Sequence, residues 1–306
     1  SPDTFREMAD ADVIVVVDFP KLVEAIEAHE VQTPLIYETH ASHPPALEVF
    51  YSVVDKAKLA AIVVPSEFNK LQILLQKRPL VEPQVIRNCF HPSFLQVDDS
   101  SEPFCLDDIE GVIVLWVGRL EDEKNPQDLI RIAQGLAESR SDIVFLMVGD
   151  THDYDEYCDR LREESGGTLP ASVRLLRNVN FEDMARVYRK TAQSGGFLLS
   201  TSHFESAPMI FIEAMVCRCP VISSKVGGVA ELIEHGVTGY LYDSGDLGTV
   251  VKILEKTGAM EVSRLRQSIV DNAFDYVTRH HLPAVIAGNY YALLEEVLAA
   301  NMSASM

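Results

Sequence analysis

Basic residues are scarce in this chain. Lys and Arg number 26 against 46 Asp and Glu, a formal charge of −20 over 306 residues. That balance repels phosphate backbones, so nucleic acid is not an expected partner, and an anionic ligand needs a local basic pocket. Cysteine is sparse as well. Cys89, Cys105, Cys158, Cys217 and Cys219 are odd in number and contain no C-x-x-C pair, which leaves free thiols and no zinc or redox motif. No apolar run reaches the ~18 residues of a transmembrane helix. The opening stretch SPDTFREMAD has no basic region followed by an apolar one, so it does not read as a secretion signal and a cytoplasmic location is expected. Internal repeats and low-complexity tracts are missing too.

What is present is the composition of a globular protein, 47% apolar and 24% charged, in a chain long enough for two domains with ordinary cores. Short β-rich apolar runs recur: DVIVVV, PLIYE, AAIVVP and QVIRN, then GVIVLWVG, IVFLMVG, SVRLL, GGFLLS, CPVISS and TGYLY. Unbroken apolar strands that alternate with helical patterns predict parallel sheets covered on both faces, a doubly wound Rossmann-like α/β architecture. The acidic, Ser- and Pro-containing stretch from Pro92 to Gly111 reads as an interdomain linker. Residues 1–95 then form a first domain with only about four strands, short for its type, and residues 103–280 a second, complete one. The final stretch, residues 281–306, has an apolar face suited to packing back on the first domain.

Ligands of open parallel sheets bind beyond the carboxyl ends of the strands, and the chemistry-bearing residues lie there. After GVIVLWVG come Arg119 and Lys124, an Arg fork and a Lys point charge suited to a diphosphate, or two solvated surface cations. After GGFLLS comes HFESAPMIFIEA. Ser206 is placed to cap a helix, Pro208 to sit in its first turn, Glu213 on its second turn and Glu205 in the loop before it. Such a helix start directs free N–H groups at an anion. Carboxylates accept hydrogen bonds in pairs, which suits sugar diols; the plain alternative is one loop charge and one helix-face charge. After CPVISS, Gly227 and Gly228 offer close backbone approach or only a turn, and Glu231 follows in a helix first turn. The DAD segment from Asp10 to Asp12 and the DYD segment from Asp153 to Asp155 read as solvated charges, with no metal expected.

VGRLEDEKN, followed by FESAPMIFIEAMVCRCPVISSKVGGVAELIEHGVTGYLY, resembles the retaining nucleotide-sugar glycosyltransferases of family 4, which have the two-domain GT-B fold. The shared pieces are a G-R-L loop with a following Lys, an E-x7-E motif, a P-V-I strand and a G-G-x-x-E-x-I segment ending in T-G-x-L. Upstream, PLIYETHASH is similar to a strand ending in T-x-H, AAIVVPSEFNK to a strand leading into S-E, and VIRNCFHPSF to a V-I-x-N-G-V-D segment. Two departures stand out: Glu205-Ser206-Ala207-Pro208 replaces Glu-Gly-Phe-Gly, and Asn88 is followed by Cys89, Phe90 and His91. The family's amino-terminal strand and Gly-rich loop have no counterpart in these residues.

The resemblance implies transfer of a hexosyl unit from a nucleoside diphosphate sugar to an acceptor hydroxyl, with retention at the anomeric carbon and without a metal. It implies a donor site of Gly118, Arg119, Lys124, Glu205, Ala207, Pro208, Met209, Ile210 and Glu213. Within it Arg119 and Lys124 hold the diphosphate, Glu213 the ribose hydroxyls and Glu205 the transferred sugar. His40, at the T-x-H position, is implied near the sugar and phosphate, and the base near RNVNFED. The acceptor is a saccharide, lipid or small molecule, with peripheral membrane contact and a partner chain that completes the first domain left open. Two rivals stay: a binding protein that keeps only the nucleotide half, and a GT-B sugar-nucleotide epimerase.

Overall fold

Each of the ten apolar runs forms a strand in the computed structural model, which describes residues 2–54, 58–96, 104, 106–177, 179–257 and 260–304. Cys105 lies outside the described residues. The strands form two wholly parallel sheets in two compact units. The first unit comprises Ser1–Asn88 with Pro283–Met306, the second Cys89–Leu282.

In the first unit β1 (Ile14–Val17), β2 (Leu35–Glu38), β3 (Leu59–Val64) and β4 (Gln84–Val85) pair in that spatial order. Helix α1 (Pro2–Ala9) precedes them, and α2 (Pro20–Ala28), α3 (Pro44–Val54) and α4 (Glu67–Gln76) connect them. Pro opens α2, where its missing N–H costs nothing, and the Ser66 hydroxyl caps α4 by accepting from the Asn69 N–H at 3.1 Å. Ile14, Val16, Leu35, Tyr37, Ile62 and Val64 meet Val23, Ile26 and Phe50 in one core.

In the second unit β5 (Val112–Val117), β6 (Ile143–Val148), β7 (Val173–Leu176), β8 (Phe197–Ser200), β9 (Val221–Ser224) and β10 (Tyr240–Tyr242) take the order β10-β9-β8-β5-β6-β7. The chain therefore starts in the middle of the sheet and winds outward in both directions, which opens a switch point beside β5. Alternation along β5 explains why the run is apolar throughout. Ile113 and Leu115 pack toward α7 (Phe181–Gln193), α8 (Met209–Val216) and α10 (Met260–His280). Val114 and Trp116 pack toward α5 (Pro126–Leu136), α6 (Tyr154–Glu164) and α9 (Leu247–Glu255). The last helix, α11 (Pro283–Ala304), belongs to the first unit, where the Tyr290 hydroxyl donates to Glu38 Oε2.

The stretch from Pro92 to Gly111 corrects the linker expectation. The division falls at Asn88/Cys89 instead. Of the described residues downstream, Phe94, Leu106 and Ile109 are buried in the second unit's core, and Arg189 donates to the Phe94 carbonyl at 2.6 Å. Acidic and Ser/Pro composition masked widely spaced apolar anchors that show no helical or strand period.

Candidate functional site

The loop after β5 turns sharply. Gly118 lets it lie on the indole, since a Cβ there would stand 3.1 Å from the tip of the Trp116 ring. A 3-10 turn over Asp122–Lys124 follows, and Asn125 then takes the left-handed conformation (φ 49°, ψ 56°) before Pro126 opens α5. Asn tolerates that region because its short amide bonds locally, here to Asp128 Oδ2 at 2.7 Å.

The loop after β8 is stitched to this turn. The Thr201 hydroxyl accepts from Trp116 Nε1 at 3.0 Å and donates to the Asn125 and Lys124 carbonyls at 2.6 and 3.1 Å. The His203 N–H donates to the Glu123 carbonyl at 2.8 Å. Lys124 Nζ then reaches Glu205 Oε1 at 2.8 Å, and the Ser202 hydroxyl donates to the same oxygen at 2.7 Å. The loop after β9 joins from the far side: the Ser224 hydroxyl donates to the Ser202 carbonyl at 2.6 Å, and the Gly228 N–H to the Glu205 carbonyl at 2.9 Å. Glu205 is only 6% exposed, yet it carries a cation and a hydroxyl donor, the conditions under which a carboxylate is tolerated in a core.

The structure brings Lys124 and Glu205 together as bonded partners. Arg119 stays in solvent, 66% exposed at its side chain and paired with Glu121 at 3.0 Å. Three local expectations are corrected. Ser206 does not cap α8: Pro208 stands at the cap position, outside the first turn, without a side-chain cap hydrogen bond. Glu231 closes a 3-10 turn over Gly227–Glu231 and does not open a helix. Gly227 there takes φ 51°, a conformation open to glycine. Ala207, Met209 and Ile210 are half-buried at the start of α8, and Pro208 is buried.

Glu213 does lie on the second turn of α8. Its Oε2 accepts from the buried Tyr188 hydroxyl of α7 at 3.0 Å. Burial pushes the Glu213 carboxyl above the ordinary range, and the Tyr188 hydrogen bond opposes that rise. Burial also drives the Tyr188 phenol well up, so it stays the donor.

His40 belongs to the first unit, just beyond β2. Its Nδ1 faces Asp18 Oδ2 at 2.7 Å, its N–H donates to Asp18 Oδ1 at 3.0 Å, and the Thr39 hydroxyl donates to Asp18 Oδ1 at 2.9 Å. The Asp18 hydrogen bond holds the His40 imidazole above its usual range against burial, with Glu38 and Asn88 adding to the rise. Burial alone would raise the Asp18 carboxyl, but bonds from His40 and Thr39 outweigh it and leave it low. Sequence reasoning missed Asp18. The signal was present: a carboxylate directly follows an apolar strand, VVV-D-FP, at a strand's carboxyl end.

A larger hollow of about 630 Å³ sits against the loops after β5 and β6. Glu121, Asp122, Asp153, Glu156, Asp159 and Glu163 line it with the cation Arg160, a charge that disfavours a diphosphate. Asp153 and Asp155 belong to the start of α6, Asp10 and Asp12 are exposed, and among the described residues no cluster of His, Cys, Asp and Glu has metal-site geometry.

The family of glycosyl transferases group 1 matches residues 108–275, and the chain belongs to that family. A D-inositol 3-phosphate glycosyltransferase of Mycobacterium sp. (strain JLS) is 26% identical over 249 residues, 79% of this chain and 54% of its own length. An N-acetyl-alpha-D-glucosaminyl L-malate synthase of Bacillus anthracis is 26% identical over 192 residues, 61% of this chain and 46% of its own length. The chain thus spans about half the length of the curated relatives it matches. Among solved structures, Anabaena HepE in complex with UDP and glucose superimposes with a TM-score of 0.78 at 20% identity, covering 96% of this chain and 81% of that one. Sucrose-phosphate synthase from Thermosynechococcus elongatus gives 0.78 at 17% identity, covering 97% and 76%. The fold is the GT-B type, α/β with two parallel sheets.

Proposed function

We propose that this chain is a retaining glycosyltransferase of the family 4 kind, moving a hexosyl unit from a nucleoside diphosphate sugar to an acceptor hydroxyl without a metal. The observation that carries the reading is the Lys124–Glu205 pair, held by the loops after β5, β8 and β9 at the carboxyl edge of the second sheet. A half-buried cation beside the start of α8 suits a diphosphate. Arg119, tethered only to an exposed carboxylate, turns to the same anion when it arrives.

In this reading the bond from the anomeric carbon to phosphate oxygen breaks, its electron pair passes to the diphosphate, and Lys124, Arg119 and the α8 N–H groups take up the charge. The acceptor oxygen bonds the same face of that carbon while its proton passes to the departing phosphate oxygen. Glu205 receives hydroxyls of the transferred sugar and Glu213 those of the ribose. The HepE complex with UDP and glucose makes UDP-sugars the first donors to try.

A thermal-shift screen against UDP-, GDP- and ADP-sugars tests the reading, because a ligand that binds only the folded state raises its apparent stability. No shift with any donor would count against it. Transfer that collapses with chelator and returns with manganese would sink the metal-free part, and an epimerised donor without acceptor would replace transfer by epimerisation. The four-stranded first sheet favours one second reading, a nucleotide-sugar-binding protein that needs a partner chain; donor-dependent transfer by the chain alone would remove it.

A further inference from the structure

In the first unit, three hydrogen bonds converge on one carboxylate. Asp18 has φ 45°, the left-handed region that L side chains other than Asn and Asp avoid. It is the residue that leaves β1, and its carboxylate accepts from Thr39 Oγ, from the His40 N–H and from the His40 ring. The Thr39 hydroxyl is itself fixed, since it accepts from the Ala41 N–H at 3.1 Å and is buried. A chain from Ala41 through Thr39 to Asp18 thus buttresses the imidazole. The ring borders a hollow of about 410 Å³ whose walls include Tyr37, Ala46, Val49 and Phe50, room for a sugar-sized ligand.

An exposed ion pair needs none of this. Surface pairs contribute little and do not call for a carboxylate fixed by three converging hydrogen bonds. A histidine whose Nδ1–H is committed to a carboxylate has a fixed tautomer and a fixed ring plane, with Nε2 left to work. We propose that Asp18 is the positioning residue of His40: it commits Nδ1, so that Nε2 is the ring nitrogen offered to a sugar-transfer substrate group seated in this first-unit hollow. The inference rests on the glycosyltransferase reading. Asn88, which supplies a second side-chain hydrogen bond to the ring, gives way to the substrate atom.

Asp18→Asn is the test, because Asn fits the left-handed backbone and its Oδ1 still accepts from Thr39 and the His40 N–H. Its amide nitrogen cannot accept from Nδ1–H, so the neutral ring should switch to the other tautomer. The expected result is a fall in kcat on the order of 10- to 100-fold, as when a partner that orients a working histidine is lost. The donor KM should stay within about threefold, the signature of an interaction made in the transition state. Asp18→Asn and His40→Asn should not add. Nitrogen-15 NMR of the His40 ring, recorded above the pH at which the ring becomes neutral, should show Nδ1 protonated in the wild type and Nε2 protonated in Asp18→Asn. An active wild type with unchanged kcat in Asp18→Asn, or an unchanged ring tautomer, would overturn this inference alone. A wild type that neither binds nucleoside diphosphate nor transfers sugar would overturn the functional reading and this role with it.

Discussion

Glu205 takes the Lys124 ammonium and the Ser202 hydroxyl on one oxygen, and that sharing sets what each substitution should do. Removing the cation alone leaves a buried carboxylate with a single neutral donor. Lys124→Met should therefore lower unfolding free energy by roughly 3 kcal/mol in urea titrations, the scale for breaking a buried pair from one side. Adding Glu205→Gln removes the stranded charge and should recover most of that stability, while sugar transfer stays lost because both ligand groups are gone. A double variant as unstable as Lys124→Met would mean that packing, not charge, governs the site.

Glu213 is the opposite case, a carboxylate that folding disfavours. Burial raises its pKa in the folded state, so the folded chain binds more protons there than the unfolded chain does, and this residue lowers stability as pH rises through that range. Glu213→Gln keeps the Tyr188 hydroxyl bonded and removes the penalty. The variant should melt higher than wild type at neutral pH, the gap closing in acid, and bind nucleotide more weakly. A lower melting point at neutral pH would show that the ionised form is stabilised by something other than Tyr188.

At the scale of elements, the turn that carries Lys124 is held from outside itself. Trp116 on β5 and the Asn125 and Lys124 carbonyls all bond the one Thr201 hydroxyl beyond β8. Thr201→Val keeps the shape and removes the hydroxyl, leaving a buried indole N–H and carbonyls unpaired at a cost of about 1–3 kcal/mol. Amide hydrogens of residues 122–125 should then exchange faster than in wild type, and transfer should slow although no ligand contact was changed. Unaltered exchange there would show that the turn is set by its own backbone.

The same elements explain what could be read from the sequence. Central strands such as β3, β5, β8 and β9 are largely buried on both faces and announced themselves as apolar runs. Edge strand β1 kept such a run with Val15 and Val17 exposed. Lys124, Glu205 and Glu213 could be marked by place because they follow strands. That Lys124 and Glu205 bond each other was not legible, since the contact joins residues 81 apart and depends on how two loops cross. Pro208 misled for a local reason: Pro is favoured at the first helical position, and here it stands one residue earlier, at the cap. The stretch after Pro92 misled because its anchors, Phe94, Leu106 and Ile109, are too widely spaced to show a period. Asp18 was marked only by its place after β1, and the partner that gives it meaning, His40, lies 22 residues on at the end of another strand.

For the whole molecule, net charge and local charge pull in opposite directions. A formal charge of −20 repels a diphosphate at long range, so binding has to come from short-range contacts in one place. The second unit offers two regions next to β5 for an anion to meet, the ion pair of Lys124 and Glu205 and the acidic hollow lined by Asp122, Asp153, Glu156 and Asp159. The hollow has room, about 630 Å³, but one arginine among six carboxylates gives it the wrong sign for a diphosphate. A nucleoside diphosphate at saturating concentration should therefore slow amide exchange at residues 118–125, at 202–210 and around Gly227 and Gly228, and leave residues 153–163 as they were. Raising salt should not move that pattern, because a partly buried cation is screened far less than surface charge. Protection centred on residues 153–163 would place the nucleotide in the acidic hollow, and the roles given to Lys124, Glu205 and Glu213 would fall together.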